Sequence, residues 1–169
     1  MSETSSSTQT LVATGVEGLD HVLNGGLVPN RMYLVEGDPG SGKTTLALQF
    51  LQTGVRKGES ALFVTLSESE EELRASARSH GWSLDGINIV EIIASEKSLT
   101  PDARYTMFHP SEVELGETIK TVLTEALQSK PLRLVFDSLS ELRLLAQNPL
   151  RYRRQILALK QFFSRTKCT

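Results

Sequence analysis

The sequence has a single cysteine, Cys168, and a single tryptophan, and only 6% of its residues are aromatic. One thiol excludes an internal disulfide, which suits a reducing compartment. No apolar run comes near the roughly 20 residues that a spanning helix needs, so no membrane partner is expected. The first residues carry neither the basic nor the apolar stretch of a secretory leader, and cytoplasm is the expected location. Charge of one sign is also lacking. Lys and Arg total 18 against 20 Asp and Glu, leaving a formal net charge of −2. That balance gives no reason to expect a nucleic-acid partner. His21, His80 and His109 are scattered, without the spacing of a metal-ligand set. The remaining composition is ordinary, with 39% hydrophobic and 22% charged residues over 169 positions. That length suffices for one domain with a core.

Against this plain background one stretch stands out. Gly37-Asp38-Pro39-Gly40-Ser41-Gly42-Lys43-Thr44, followed by Thr45, fits the phosphate-binding pattern G-x-x-x-x-G-K-[ST] at every fixed position. At average glycine usage a chance match falls on the order of once in a few hundred such chains. The residue types answer a physical need. A triphosphate is well solvated, so competing with water takes several N–H donors aimed at one point. Gly37, Gly40 and Gly42 let the backbone turn sharply and approach without a Cβ in the way. The loop then forms an anion nest opening onto the positive end of a helix. Lys43 is placed for the β- and γ-phosphates, and the Thr44 hydroxyl for Mg²⁺.

The flanks supply the expected strand–loop–helix context. Met32-Tyr33-Leu34-Val35 reads as a buried strand over 31–36, and Leu46, Ala47, Phe50 and Leu51 recur at helical spacing. Residues 1–11 read as a disordered polar tail, and a short helix is expected over 17–23, with Leu19, Val22 and Leu23 on the sheet edge. Further strands are expected at 61–66, 87–93 and 132–137. Helices are expected after the capping boxes Ser69-x-x-Glu72 and Ser111-x-x-Glu114, and after Asn148-Pro149. Residues 94–110 read as a loop. Strands alternating with helices predict an α/β fold with a doubly wound, mainly parallel sheet and helices on both faces.

Two carboxylates qualify for chemistry beside the loop. Asp137 ends an apolar run about 90 residues downstream, which is the place for a Mg²⁺ contact, although such an Asp also caps turns. Hydrolysis needs a carboxylate that orients or deprotonates water. Glu68, after the strand at 61–66, is the candidate, with a solvated acid at a helix start as the alternative. Glu36 is read as structural. The basic residues Arg143, Arg151, Arg153, Arg154, Lys160, Arg165 and Lys167 are read as one C-terminal helix face. It lacks the interleaved exposed aromatics of a single-strand groove.

Taken in order, these residues resemble the KaiC-like ATPases of the RecA superfamily. The match runs through Thr14-Gly15-x-x-Gly18-Leu19-Asp20, Gly25-Gly26-Leu27, the phosphate loop, Phe63-Val64-Thr65-Leu66, Glu71-Glu72-Leu73 and Gly81-Trp82. It continues through Asp137-Ser138-Leu139 and Asn148-Pro149-Leu150-Arg151-Tyr152-Arg153, covering about residues 12–169. The resemblance implies a RecA-like fold, ATP with Mg²⁺, and a homo-oligomeric, hexameric ring with nucleotide between subunits. Family members include clock-protein kinases that autophosphorylate on serine or threonine, and ATPases that signal to protein partners. Two departures from the family pattern follow. The first of its two adjacent glutamates is Ser67 here, and that first glutamate is the implied general base. The family also continues beyond Thr169 into a strand between the 31–36 strand and the Asp137 strand, so 12–169 is expected to be a domain without its C-terminal part. Two further readings stay open: a DNA-repair motor of the RadA or DnaB kind, and an ATP-binding scaffold that does not hydrolyse.

Overall fold

The computed structural model describes residues 10–92 and 110–169. The expected tail up to residue 9, the expected loop over 94–109, His109 and the side chains of Ser111 and Glu114 lie outside the described residues. The elements are α1 (Glu17–Val22), α2 (Lys43–Arg56), β1 (Ala61–Thr65), α3 (Glu70–Ser79), β2 (Ile87–Glu91), α4 (Pro110–Ser129), β3 (Arg133–Asp137), α5 (Leu139–Ala146) and α6 (Pro149–Arg165).

β1 is apolar until its last residue and is buried at all five positions. A strand without a polar face must be covered on both sides. Its alternation divides the core in two. Leu62 and Val64 face a cluster with Val122 of α4, Leu142 of α5 and Leu159 and Phe163 of α6. Ala61 and Phe63 face Leu48 and Leu51 of α2 and Leu73 and Ala77 of α3. The sheet is parallel, in the order β2-β1-β3, and Thr65 stands opposite both Glu91 and Asp137. All three strands therefore end together, at the edge where the phosphate loop enters. The expected α/β architecture, a parallel sheet with helices on both faces, is the one observed.

Local signals set several boundaries. At Ser69 the capping box is complete: the Ser69 hydroxyl accepts from the Glu72 N–H, and Glu72 accepts from the Ser69 N–H at 2.8 Å. Asn148 accepts from the Leu150 N–H at 2.8 Å, with Pro149 opening α6. Satisfying these orphan donors contributes about 1 kcal/mol each.

Three expectations are corrected. Residues 31–36 form no strand. They join no ladder, and Leu34 and Val35 are 71% and 53% exposed. An apolar run becomes a strand only where a neighbouring edge takes its N–H and C=O groups, and no described strand runs beside this one. Val22 is 79% exposed and α1 buries no residue, so the helix rests only on half-buried Leu19 and Leu23. Arg143 belongs to α5, a separate helix not anticipated, and not to the basic C-terminal helix.

The largest fully buried side chain is charged. Arg133 bonds Glu59 at 2.5 Å, donates to the carbonyls of Ala13 and Phe50 at 2.6 and 2.9 Å, and lies 4.7 Å over the Phe50 ring. Gly54 makes room for it: a Cβ there would come within 2.5 Å of the Arg133 Cδ. One guanidinium thus ties β3 to α2 and to the N-terminal segment. Among the described residues, no helix is long and apolar enough to cross a membrane.

Candidate nucleotide site

The phosphate loop hands over directly to α2. Gly42 is the helix N-cap at φ 87°, a left-handed conformation that favours glycine, and Gly40 sits at φ 77°. Because the cap has no side chain, no side-chain acceptor takes the first N–H groups of α2. They remain aimed at the mouth of the loop with the positive end of a 14-residue helix behind them. Lys43 folds over the loop, its Nζ donating to the carbonyls of Gly37 and Asp38 at 2.9 and 2.8 Å. Gly37, Asp38, Pro39, Gly40, Ser41 and Gly42 are exposed, and Lys43, Thr44 and Thr45 are half-buried.

Two residues 93 positions apart meet at this mouth. The Thr44 hydroxyl donates to the Asp137 carboxylate at 2.9 Å, joining the start of α2 to the end of β3. Both offer hard oxygen donors of the kind Mg²⁺ takes.

Glu68 follows β1, whose last residue Thr65 lies opposite Asp137, and it is held by its backbone. The Thr65 hydroxyl accepts from the Glu68 N–H at 3.0 Å and donates to the Glu68 carbonyl at 2.7 Å. Burial raises the Glu68 pKa above the ordinary glutamate value, and the nearby charges of Asp137 and Glu72 raise it further. Ser67 is exposed, and Glu36 is exposed as well. Thr65 was missed by the sequence reading. The available signal was a hydroxyl residue ending an otherwise apolar strand just before a candidate carboxylate.

The Thr14–Asp20 signature has a structural explanation. The Asp20 carboxylate accepts from the N–H groups of Thr14 and Gly15 at 2.7 and 3.0 Å and from the Thr14 hydroxyl at 2.8 Å. Burial opposes the Asp20 charge, but these bonds outweigh it and hold the carboxyl below its ordinary range. Gln49 of α2 donates to the Gly15 carbonyl, which docks the clasp on the helix that carries the loop. His80 stacks on Trp82 at 4.9 Å, and His21 is exposed at the end of α1.

A glycine-rich anion cradle at a helix N-terminus, fed from the carboxyl edge of a parallel sheet, defines a P-loop nucleotide-binding domain. The chain matches the family described as KaiC ATPase over residues 12–169, and it belongs to that family. Curated relatives agree. A UPF0273 protein of Thermotoga maritima is 30% identical over 94% of this chain and 66% of its own length. A UPF0273 protein of Aeropyrum pernix is 31% identical over 90% of this chain and 63% of its own. The circadian clock protein KaiC3 of Synechocystis is 34% identical over 75% of this chain and 25% of its own. The chain thus spans 57% to 66% of the length of these UPF0273 proteins and others like them.

Proposed function

We propose that this chain binds ATP with Mg²⁺ at Gly37–Thr45 and hydrolyses it slowly. The observation that carries the reading is the Thr44–Asp137 bond at the open N-terminus of α2. The backbone of Gly37, Asp38, Pro39, Gly40, Ser41 and Gly42 would wrap the phosphates, with the Thr45 N–H in the first turn behind it. Lys43 would exchange its two loop carbonyls for phosphate oxygens. Thr44 and Asp137 would hold Mg²⁺, directly or through water; the ion supplies charge neutralisation at the terminal phosphates.

Glu68 is the group we assign to the attacking water. Its raised pKa makes it a better base than a free glutamate, and the Thr65 turn fixes where it stands. The exposed Ser67 at the first-glutamate position favours a second reading, a chain that binds ATP and scarcely turns it over. In the whole protein we expect a homo-oligomeric ring that signals to protein partners. The clock role in the Synechocystis relative's name makes timing a candidate output for that whole, and the family resemblance makes kinase activity another. α6 makes DNA the weaker alternative, because its aromatics Tyr152 and Phe162 are half-buried against the core rather than fully exposed for stacking.

Lys43→Ala tests the site. It removes the only loop side chain that brings positive charge to the phosphates, so equilibrium titration should lose MgATP binding while the thermal melt stays in place. Unchanged affinity would sink the assignment. Asp137→Asn should weaken only the Mg²⁺-dependent part of binding.

A further inference from the structure

The three strands end level with one another, and each ends in a polar residue. Glu91 closes β2, Thr65 closes β1 and Asp137 closes β3, in register across the parallel ladder. Asp137 accepts from the Thr44 hydroxyl, and Thr65 holds both backbone groups of Glu68. Glu91 reaches back 21 residues instead. One of its carboxylate oxygens accepts from the N–H of Glu70, the first residue of α3, at 3.0 Å.

α3 does not need this bond in order to start. It already has the complete Ser69–Glu72 capping box and three acids in its first turn, which together favour a helix N-terminus. What the first turn lacks is an attachment to the sheet. Glu70, Glu71 and Glu72 are half-buried or exposed, and the first buried side chain of α3 is Leu73. The Glu70 carboxylate is turned to Arg74, one turn on, at 2.7 Å. The Glu91 bond is therefore a polar link from β2 to the residue two places after Glu68. The turn over 66–69 is fastened to all three strands. The Leu66 N–H donates to the Asp137 carbonyl of β3 at 2.8 Å, the Thr65 hydroxyl holds Glu68 on β1, and Glu91 holds Glu70 on β2.

We propose that Glu91 is a positioning residue for ATP hydrolysis: through the Glu70 N–H it pins the downstream side of the turn that carries Glu68, as Thr65 pins the upstream side. This role presupposes that Glu68 orients the attacking water. A water-orienting carboxylate works in a narrow geometry, and a misplacement of about 1 Å costs on the order of a hundredfold in rate. Fastenings on both sides of Glu68 restrict its backbone where a single one leaves a hinge. Serines flank Glu68 on both sides, so no adjacent carboxylate stands in for it when it drifts.

Glu91→Ala and Glu91→Gln test this in the full chain, with wild type and Glu68→Gln measured alongside. Glu91 is exposed, so both variants should fold, and thermal melts check it. Glu91→Met, matched in length without an acceptor, serves where Glu91→Ala melts early. Glu91→Ala should lower kcat by about tenfold and leave MgATP affinity unchanged. Glu91→Gln keeps a carbonyl acceptor for the Glu70 N–H and should restore most of that loss. Amide exchange at Glu70 should quicken in Glu91→Ala and stay near wild type in Glu91→Gln. A wild-type kcat despite quickened Glu70 exchange makes Glu91 a helix cap alone and overturns the role. Unchanged Glu70 exchange in Glu91→Ala overturns the bond, and a Glu91→Gln as slow as Glu91→Ala overturns the bond as the means of positioning. If Glu68→Gln turns over as fast as wild type, Glu68 is not the water-orienting group, and Glu91 loses its role whatever its bond does.

Discussion

β1 and the segment 31–36 carry nearly the same message in sequence and end in opposite states. Ala-Leu-Phe-Val-Thr and Met-Tyr-Leu-Val are both short apolar runs that lead to a site residue. β1 is buried at every position and laddered on both sides. The other run is fastened at single points: Tyr33 to the Val28 carbonyl at 3.0 Å, and Lys43 to the loop it leads into. The difference lies in the neighbours. β1 has β2 and β3 beside it, whereas 31–36 faces the open side of β3. Hydrophobicity says that a run will seek burial, and only an available edge decides that it becomes a strand.

The largest expected effect sets the two runs against each other in stability. Phe63 is fully buried in the α2–α3 half of the core, and Phe63→Ala should cost about 3–5 kcal/mol by denaturant melting. Whole domains hold only about 5–15 kcal/mol, so this change alone should bring the chain close to unfolding. Leu34→Ala, at 71% exposure, should stay within about 0.5 kcal/mol. Comparable costs at the two positions would mean that 31–36 is packed in solution as β1 is.

The same contrast explains what could be read from the sequence. β1, β2, β3, α2 and α3 were legible because their signals are local or their partners lie within the chain: apolar runs, a capping box, a glycine cap. α6 was legible from Asn148-Pro149. The phosphate loop could be read from its pattern, and Asp137 from its place at a strand end. Two of the failures trace to partners distant in sequence or not among the described residues, and one to a missing local signal. The strand at 31–36 needs a neighbour that no described strand provides. α5 follows β3 after one residue, Ser138, whose side chain makes no capping bond, so no start signal announced it. Arg133 reads as a polar interruption of a strand, yet it is buried because Glu59, Ala13 and Phe50 converge on it.

Turnover sharpens the contrast on the β1 side. If Glu68 positions the attacking water, Glu68→Gln should remove residual ATPase and leave MgATP binding intact. Ser67→Glu, restoring a carboxylate at the family position, should raise turnover by about 10²–10⁴-fold. A base works deprotonated, so wild-type turnover should fall as pH drops through the raised Glu68 pKa, and Glu68→Gln should lose that limb. Fast hydrolysis indifferent to both substitutions would place the base elsewhere. Thr65→Val comes next in size. It strips the hydroxyl that holds the Glu68 N–H and C=O, with an expected cost of about 1–3 kcal/mol from groups left unpaired. The matching readout is a lower kcat at unchanged nucleotide affinity.

The smallest effect belongs to the weakly fastened side, where the Asp20 clasp takes the place of a ladder. Its three bonds from Thr14 and Gly15 hold the folded Asp20 pKa below the ordinary 3.8. A carboxylate depressed in the folded state adds stability above its unfolded pKa, and that stability drains away as pH falls through the folded value. Asn at this position keeps one carbonyl acceptor and loses the charge, so it should retain part of the clasp without its pH dependence. At about pH 7 Asp20→Asn should melt slightly below wild type, and the gap between the two should narrow as pH falls below the ordinary Asp value and through the lowered folded one. The clasp is docked on α2 through the Gln49–Gly15 bond. Exchange of the Thr14 and Gly15 amides should therefore quicken in the variant, while the β1 amides stay unchanged. A melting difference that persists undiminished in acid would mean that the Asp20 charge contributes nothing, and that shape alone holds this side of the molecule.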